Sequence, residues 1–278
     1  MKNTLWSNLA LPLVILLFSG IYWLSCLYPY RAEDTQTRTR SAQDINTISV
    51  TSHNGAITAN AVNDTTVAVK ITRYAYGRTD ADARARLERV TITDTVISNT
   101  WSLTVQTPPA IQPLGARFNI NAPSGIHLDL TTSNDKVTIN GFRADFNVTA
   151  SNAVVSCIGT SGNAVITTNN GKVIVQVHSG TISAQTSNAA IECDIAHLPA
   201  TGSVNLKTSN DDVTLLLPPD VSATVNATTS SGTAVIAGYS GVVYYEQTQN
   251  HIRARIGSGA ANITINTSNG DIVIKSRY

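Results

Sequence analysis

Every eighteen residues the middle of this chain repeats itself, and so strict an interval leaves few folds open to it. The segments TTSND, TASNA, TTNNG and QTSNA put Asn134, Asn152, Asn170 and Asn188 in one column. With that Asn as position zero, four further columns are apolar in every copy. Position −6 holds Leu128, Phe146, Ala164 and Ile182, and position −4 holds Leu130, Val148, Ile166 and Ala184. Position +3 holds Val137, Val155, Val173 and Ile191, and position +5 holds Ile139, Cys157, Val175 and Cys193. Side chains alternate faces along a strand, so −6 with −4 marks one strand and +3 with +5 a second. The odd interval between the two pairs requires a corner that resets the phase. Asn, which tolerates left-handed backbone angles, and small neighbours such as Gly171 are placed to make it. A second reset falls near Gly141, Ser161-Gly162 and Ser179-Gly180. Two strands and two corners per repeat make one coil of an all-β solenoid (β-helix) with about 18–22 residues per coil. An antiparallel sandwich is the competing fold, but it does not require the same columns to recur at one fixed interval.

The pattern extends over residues 45–278. Ile48, Val50, Asn54-Gly55 and Ile57 read as the first coil, and Ile263, Ile265, Asn269-Gly270, Ile272 and Ile274 as the last. Between them lie Val204, Leu206, Asn210, Val213 and Leu215, then Val225, Ala227, Val235 and Ala237. The register is lost over 239–256, where a hairpin and a long coil both fit. Residues 62–125 read as a non-repeating insertion, with strands at Val67–Ile71 and near 101–106 and 117–122. Thr79 with Asp82 has the spacing of a capping box, and Ala83, Leu87 and Val90 form a stripe at helical spacing. These predict one short helix over 80–90 that covers an open end of the solenoid. Residues 31–44 (RAEDTQTRTRSAQD) carry no apolar periodicity and read as a solvated linker.

Residues 1–30 hold a different signal. Leu9 to Tyr28 is a run of twenty residues without a charge. At about 1.5 Å per residue a helix of that length spans a roughly 30 Å hydrocarbon core. Tyr22, Trp23 and Tyr28 stand near its outer end, as an interfacial aromatic belt would. The favoured reading is an N-terminal transmembrane helix, a retained single-pass anchor through residues 9–28. A cleaved signal segment and lipidation at Cys26 are the alternatives. The flanking charges do not decide orientation, with Lys2 on one side and Arg31, Arg38 and Arg40 on the other. The expected location of the large domain, outside the cell membrane, rests on its Thr-, Ser- and Asn-rich composition.

Only 13% of the residues are charged and the formal charge is +1, which gives no electrostatic grip on nucleic acid. The outward columns do not stack acids. Glu192 and Asp194 share a face but read as solvated strand residues, and His178 and His197 near one corner lack an acidic or Cys partner for a metal. The acidic turns at Asp135, Asp211-Asp212 and Asp271 do not form the Gly/Asp Ca²⁺ repeat. Glycosylation triplets begin at Asn63, Asn147, Asn226, Asn262 and Asn266, and arise by composition. No catalytic, cofactor-binding or metal residue is assigned, and no cofactor is expected. Cys157 and Cys193 stand two coils apart in one column, about 9.6 Å by the spacing of stacked strands, against the roughly 4.4–6.8 Å a disulfide needs. Two free, buried thiols are expected.

The recurrent unit, seen as TSNDKVTI, TNNGKVIV, TSNDDVTL and TSNGDIVI, resembles that of the bacterial "putative adhesin" β-strand-repeat family. The opening SVTSHNGAIT and the bridging NINAPSGIHLDL match its layout. The resemblance implies a β-repeat fold over residues 45–278 and a place outside the membrane, and it brings no catalytic motif. The expected function is a non-catalytic, membrane-anchored scaffold that meets envelope polysaccharide or protein. The alternatives are a carbohydrate-active enzyme on the same scaffold and an envelope-stress sensing or regulatory protein.

Overall fold

The structure, a computed structural model, describes residues 28–108 and 114–277. The expected anchor through residues 9–28, with Cys26, lies outside the described residues except for Tyr28. The N-terminal part runs β1 (Tyr30–Ser41), β2 (Thr47–Thr51), β3 (Ile57–Ala61), β4 (Thr66–Gly77), helix α1 (Asp80–Leu87), β5 (Thr91–Ile97), β6 (Thr100–Gln106) and β7 (Leu114–Ala122). The strict repeats follow as β8 (His127–Thr132), β9 (Val137–Asn140), β10 (Phe146–Ala150), β11 (Val155–Ile158), β12 (Ser161–Thr167), β13 (Val173–Gln185) and β14 (Ile191–His197). Then come β15 (Ser203–Lys207), β16 (Val213–Leu217), β17 (Ala223–Thr228), β18 (Ala234–Ala237), β19 (Val243–Gln247), β20 (His251–Ile256), β21 (Ala261–Asn266) and β22 (Ile272–Ser276).

The coils stack in the eighteen-residue register. Phe146 of β10 lies between Leu128 and Ala164, and Val148 between Leu130 and Ile166, in parallel pairing. On the second wall Cys157 pairs with Ile139 on one side and Val175 on the other, and Val175 pairs with Cys193. The four apolar columns are buried, and together they form one core that runs the length of the stack. Both thiols are free and buried, as the register requires.

The order of coils in space differs from their order in sequence. The coil of β2 and β3, first in the chain, lies between β6–β7 and β8–β9. The coil of β21 and β22, last in the chain, lies between β15–β16 and β17–β18. The first and the last coil in sequence both therefore lie inside the stack. Residues 100–122, expected as part of a non-repeating insertion, form a true coil: Trp101 and Leu103 stack on Ile48 and Val50, and Phe118 and Ile120 on Ile57 and Ala59. A connection through residues 107–113 hides that coil from a fixed-interval search.

Antiparallel strands close the ends. At one end β4 pairs with β7, and β1 with β4. Residues 31–44, expected as a linker, are thus mostly the twelve-residue strand β1. It lacks apolar periodicity because it is an edge strand with Ala32 as its buried residue, and its charges guard that edge. At the other end, 239–256 resolves as the hairpin β19–β20, with β20 antiparallel to β17. Helix α1 is capped by Thr79, whose Oγ1 accepts from the Asp82 N–H at 3.1 Å while Asp82 accepts from the Arg78 N–H at 2.8 Å. It lies on β1 and β4, with Ala83 buried against Gly77 and Leu87 against the small cluster of Ala75, Val90 and Leu114.

Candidate functional site

The recurring Asn acts through its side chain rather than its backbone. Among the described residues the non-glycine positions with positive φ are Ser98, Asn99, Asp135 and Val177, and none is a ladder Asn. The expectation that Asn turns the corner in a left-handed conformation is therefore corrected. Instead each Asn amide donates to the Asn one coil back. Asn269 donates to Asn210 at 2.9 Å, Asn210 to Asn188 at 2.7 Å, and Asn188 to Asn170 at 2.6 Å. Asn170 donates to Asn152 at 2.7 Å, Asn152 to Asn134 at 3.0 Å, and Asn134 to Asn54 at 2.8 Å. A planar amide with a donor at one end and an acceptor at the other suits strands stacked about 4.8 Å apart. The next position brings the corner backbones close. A Cβ on Gly171 would stand 1.6 Å from the carbonyl oxygen of Ala153.

A second, inner ladder lies two residues before the corner position, which is Asn in four of these coils and Ser231 in the fifth. Thr168, Thr186, Thr208, Thr229 and Thr267 are buried there. Thr186 Oγ1 donates to the Gly171 carbonyl at 3.0 Å, Thr208 to Ala189 at 2.9 Å, Thr229 to Gly270 at 2.8 Å and Thr267 to Asp211 at 3.0 Å. The sequence held the signal: position −2 shares the parity of −4 and −6, so the Thr of TSN must point inward, where a hydroxyl needs a partner.

The outward face of the first wall carries a different row. Thr104, Thr51, Thr131, Thr149 and Thr167 are register partners on five successive coils. Ser102, Ser49, Asp129 and Asn147 run beside them. These side chains stand on a rigid base and offer hydroxyl donors and acceptors at the coil spacing.

A groove of about 380 Å³ opens where the Asn ladder meets the antiparallel cap, lined among others by Arg31, Asn54, Tyr74, Tyr76, Arg117 and Asp135. The two tyrosine rings meet edge to face at 6.2 Å. The Arg31 guanidinium lies 5.6 and 5.4 Å from their centroids, and that of Arg117 lies 5.5 Å from Tyr74. Glu33 pairs with both arginines. Burial, reinforced by the charge of Asp135, pushes the Tyr74 phenol up to about 12. Such a groove can bind through aromatic faces, guanidinium and phenol donors. Sequence reading missed it because its walls come from β1, β4, β7 and two corners.

The residues weighed for chemistry are held apart. Glu192 pairs with Lys172 at 2.6 Å, and Asp194 with Arg277 at 2.8 Å. His178 is buried, with Nδ1 3.0 Å from Thr160 Oγ1, and burial lowers its pKa, while His197 is exposed. No group of three or more His, Cys, Asp or Glu able to hold a metal occurs among the described residues. Burial raises both thiol pKa values, that of Cys157 to about 12, so neither is a nucleophile at neutral pH.

A family model, Toastrack DUF4097, matches residues 41–275. The chain belongs to this Toastrack family. Its fold is all-β with one short helix among the described residues. A putative cell adhesion protein from Clostridium sporogenes is 12% identical, with 88% of this chain and 100% of that one covered at a TM-score of 0.37. A putative adhesin from Bacteroides fragilis is 13% identical, with 88% and 97% covered at a TM-score of 0.34. No curated protein matches the chain.

Proposed function

We propose that this Toastrack chain is a non-catalytic scaffold, anchored in the cell membrane by residues 9–28, whose solenoid stands outside and adheres to envelope polysaccharide or protein. The observation that carries this reading is the outward row of Thr104, Thr51, Thr131, Thr149 and Thr167. An extended ligand with hydroxyl groups can meet such a row at many points, so weak contacts add along the wall. The uncharged stretch from Leu9 to Tyr28 supports the anchor, and the ion-paired state of Glu192 and Asp194 supports a role without catalysis. The test presents the full chain in lipid vesicles to insoluble envelope polysaccharides. Retention is expected, and replacing Thr51, Thr131, Thr149 and Thr167 together by Lys should abolish it. Turnover of any polysaccharide, lost in Glu192→Gln or Asp194→Asn, would falsify the non-catalytic assignment.

A further inference from the structure

The chain enters this domain without a spacer. The segment read as the anchor closes at Tyr28, β1 begins at Tyr30, and the first charge, Arg31, already lies within that strand. Two residues reach at most about 7 Å. The polar layer outside a roughly 30 Å hydrocarbon core is itself only about 5–8 Å deep on each side. Tyr28 is also held by the domain. Its ring lies 4.7 Å from the guanidinium carbon of Arg86 and 5.9 Å from that of Arg78. To move the domain away from the end of an anchor, β1 would have to peel off β4, with which it is in register from Tyr30↔Gly77 to Ser41↔Thr66.

We propose, building on the anchor reading above, that α1 and the adjoining ends of β1 and β4 are a docking surface that rests on the lipid headgroup layer. The side chains suit that place. Tyr30 is 49% exposed, and with Tyr28 it sets a phenol at the depth where amphipathic rings are favoured. Arg78 and Arg89 are exposed and join none of the ion pairs among the described residues, so both are available to lipid phosphate. Arg84 and Arg86 are matched along the helix by Asp80 and Asp82 at 2.8 and 2.9 Å. Glu88 offsets one of the remaining charges, so the short tether dominates and charge assists. The docked end is the cap made by β1, β4 and α1, which leaves the hairpin β19–β20 at the opposite end of the stack.

The test uses the full chain with Cys26→Ser, inserted in vesicles, carrying a fluorophore at Ala85→Cys on the exposed face of α1 or at Tyr245→Cys on the far hairpin. Cys157 and Cys193 are buried and do not compete for label. Lipids with a quencher in the headgroup should remove most of the emission at position 85 and leave position 245 unchanged. Equal emission at the two sites, in chains that float with the vesicles, overturns the docking surface and leaves the anchor standing. Chains that fail to float remove the anchor reading, and the docking surface with it.

Discussion

Asn170 and Thr186 secure neighbouring corners by different means, and the difference is measurable. Asn170 is exposed, and its ladder bonds compete with water; Asn170→Ala should cost about 0.5–1 kcal/mol. Thr186 is buried, and Thr186→Val would leave the Gly171 carbonyl without its hydroxyl donor; about 1–3 kcal/mol is expected. Denaturant unfolding of the two variants checks the order, and a larger loss for Asn170→Ala would reverse the assignment of roles. His178 supplies a pH dependence. Burial lowers its folded pKa below the ordinary 6.5, so above that pH both folded and unfolded chains carry it neutral. As pH falls through 6.5 the unfolded chain takes up a proton that the folded chain refuses, and stability is lost until the folded pKa is reached. Thermal midpoints measured from neutral pH downward should therefore fall through this window, and His178→Gln should flatten the slope.

At the scale of elements, one carboxylate links the two walls at the β1 end. Asp94 of β5 pairs with Arg38 of β1 at 2.9 Å and with Arg40 at 3.4 Å, and it accepts from Trp101 Nε1 at 2.8 Å. Arg40 in turn lies 5.4 Å from the Trp101 ring. Asp94 thus joins the end strand of one wall to the end strand of the other. Asp94→Ala leaves two guanidinium groups and a buried indole N–H without their acceptor, and a loss of about 1.5–3 kcal/mol is expected. Amide exchange should speed up in β1, β5 and β6 and stay slow in β10 to β14. Uniform acceleration across all coils would show that Asp94 holds more than the cap.

For the molecule as a whole, the placement of the first and last coils inside the stack determines cooperativity. A solenoid stacked in sequence order would fray from its last coil. Here Asn269 donates to Asn210, 59 residues away, and β21–β22 separates β15–β16 from β17–β18. Deleting residues 261–278 should therefore expose two coil faces at once and release everything from 203 onward. Limited proteolysis would read this as cleavage throughout 203–256, and protection of that stretch would contradict the stacking order. Pairings this distant also predict slow folding. How much of this was legible follows from the range of the forces. Period and parity are local, so the inward columns of the strict repeats, the two corners per coil, the capped helix and the separation of Cys157 from Cys193 could be read from the chain. In β18, where the corner carries an extra residue, the expected inward pair Val235 and Ala237 is one residue out, and Ala234 and Ile236 stack on Ile272 and Ile274 instead. The stacking order could not, because the inner faces are nearly interchangeable. Val204 and Leu206 would rest on Val225 and Ala227 as readily as on Ile263 and Ile265, and only the connections and caps select the second. Strand β1 was hidden because it is held by backbone pairing to β4 and buries little apolar surface. The groove beside Tyr74 exists only once that pairing forms. The sequence by itself determined the coil; tertiary structure decided which coils touch and where the chain can meet a surface.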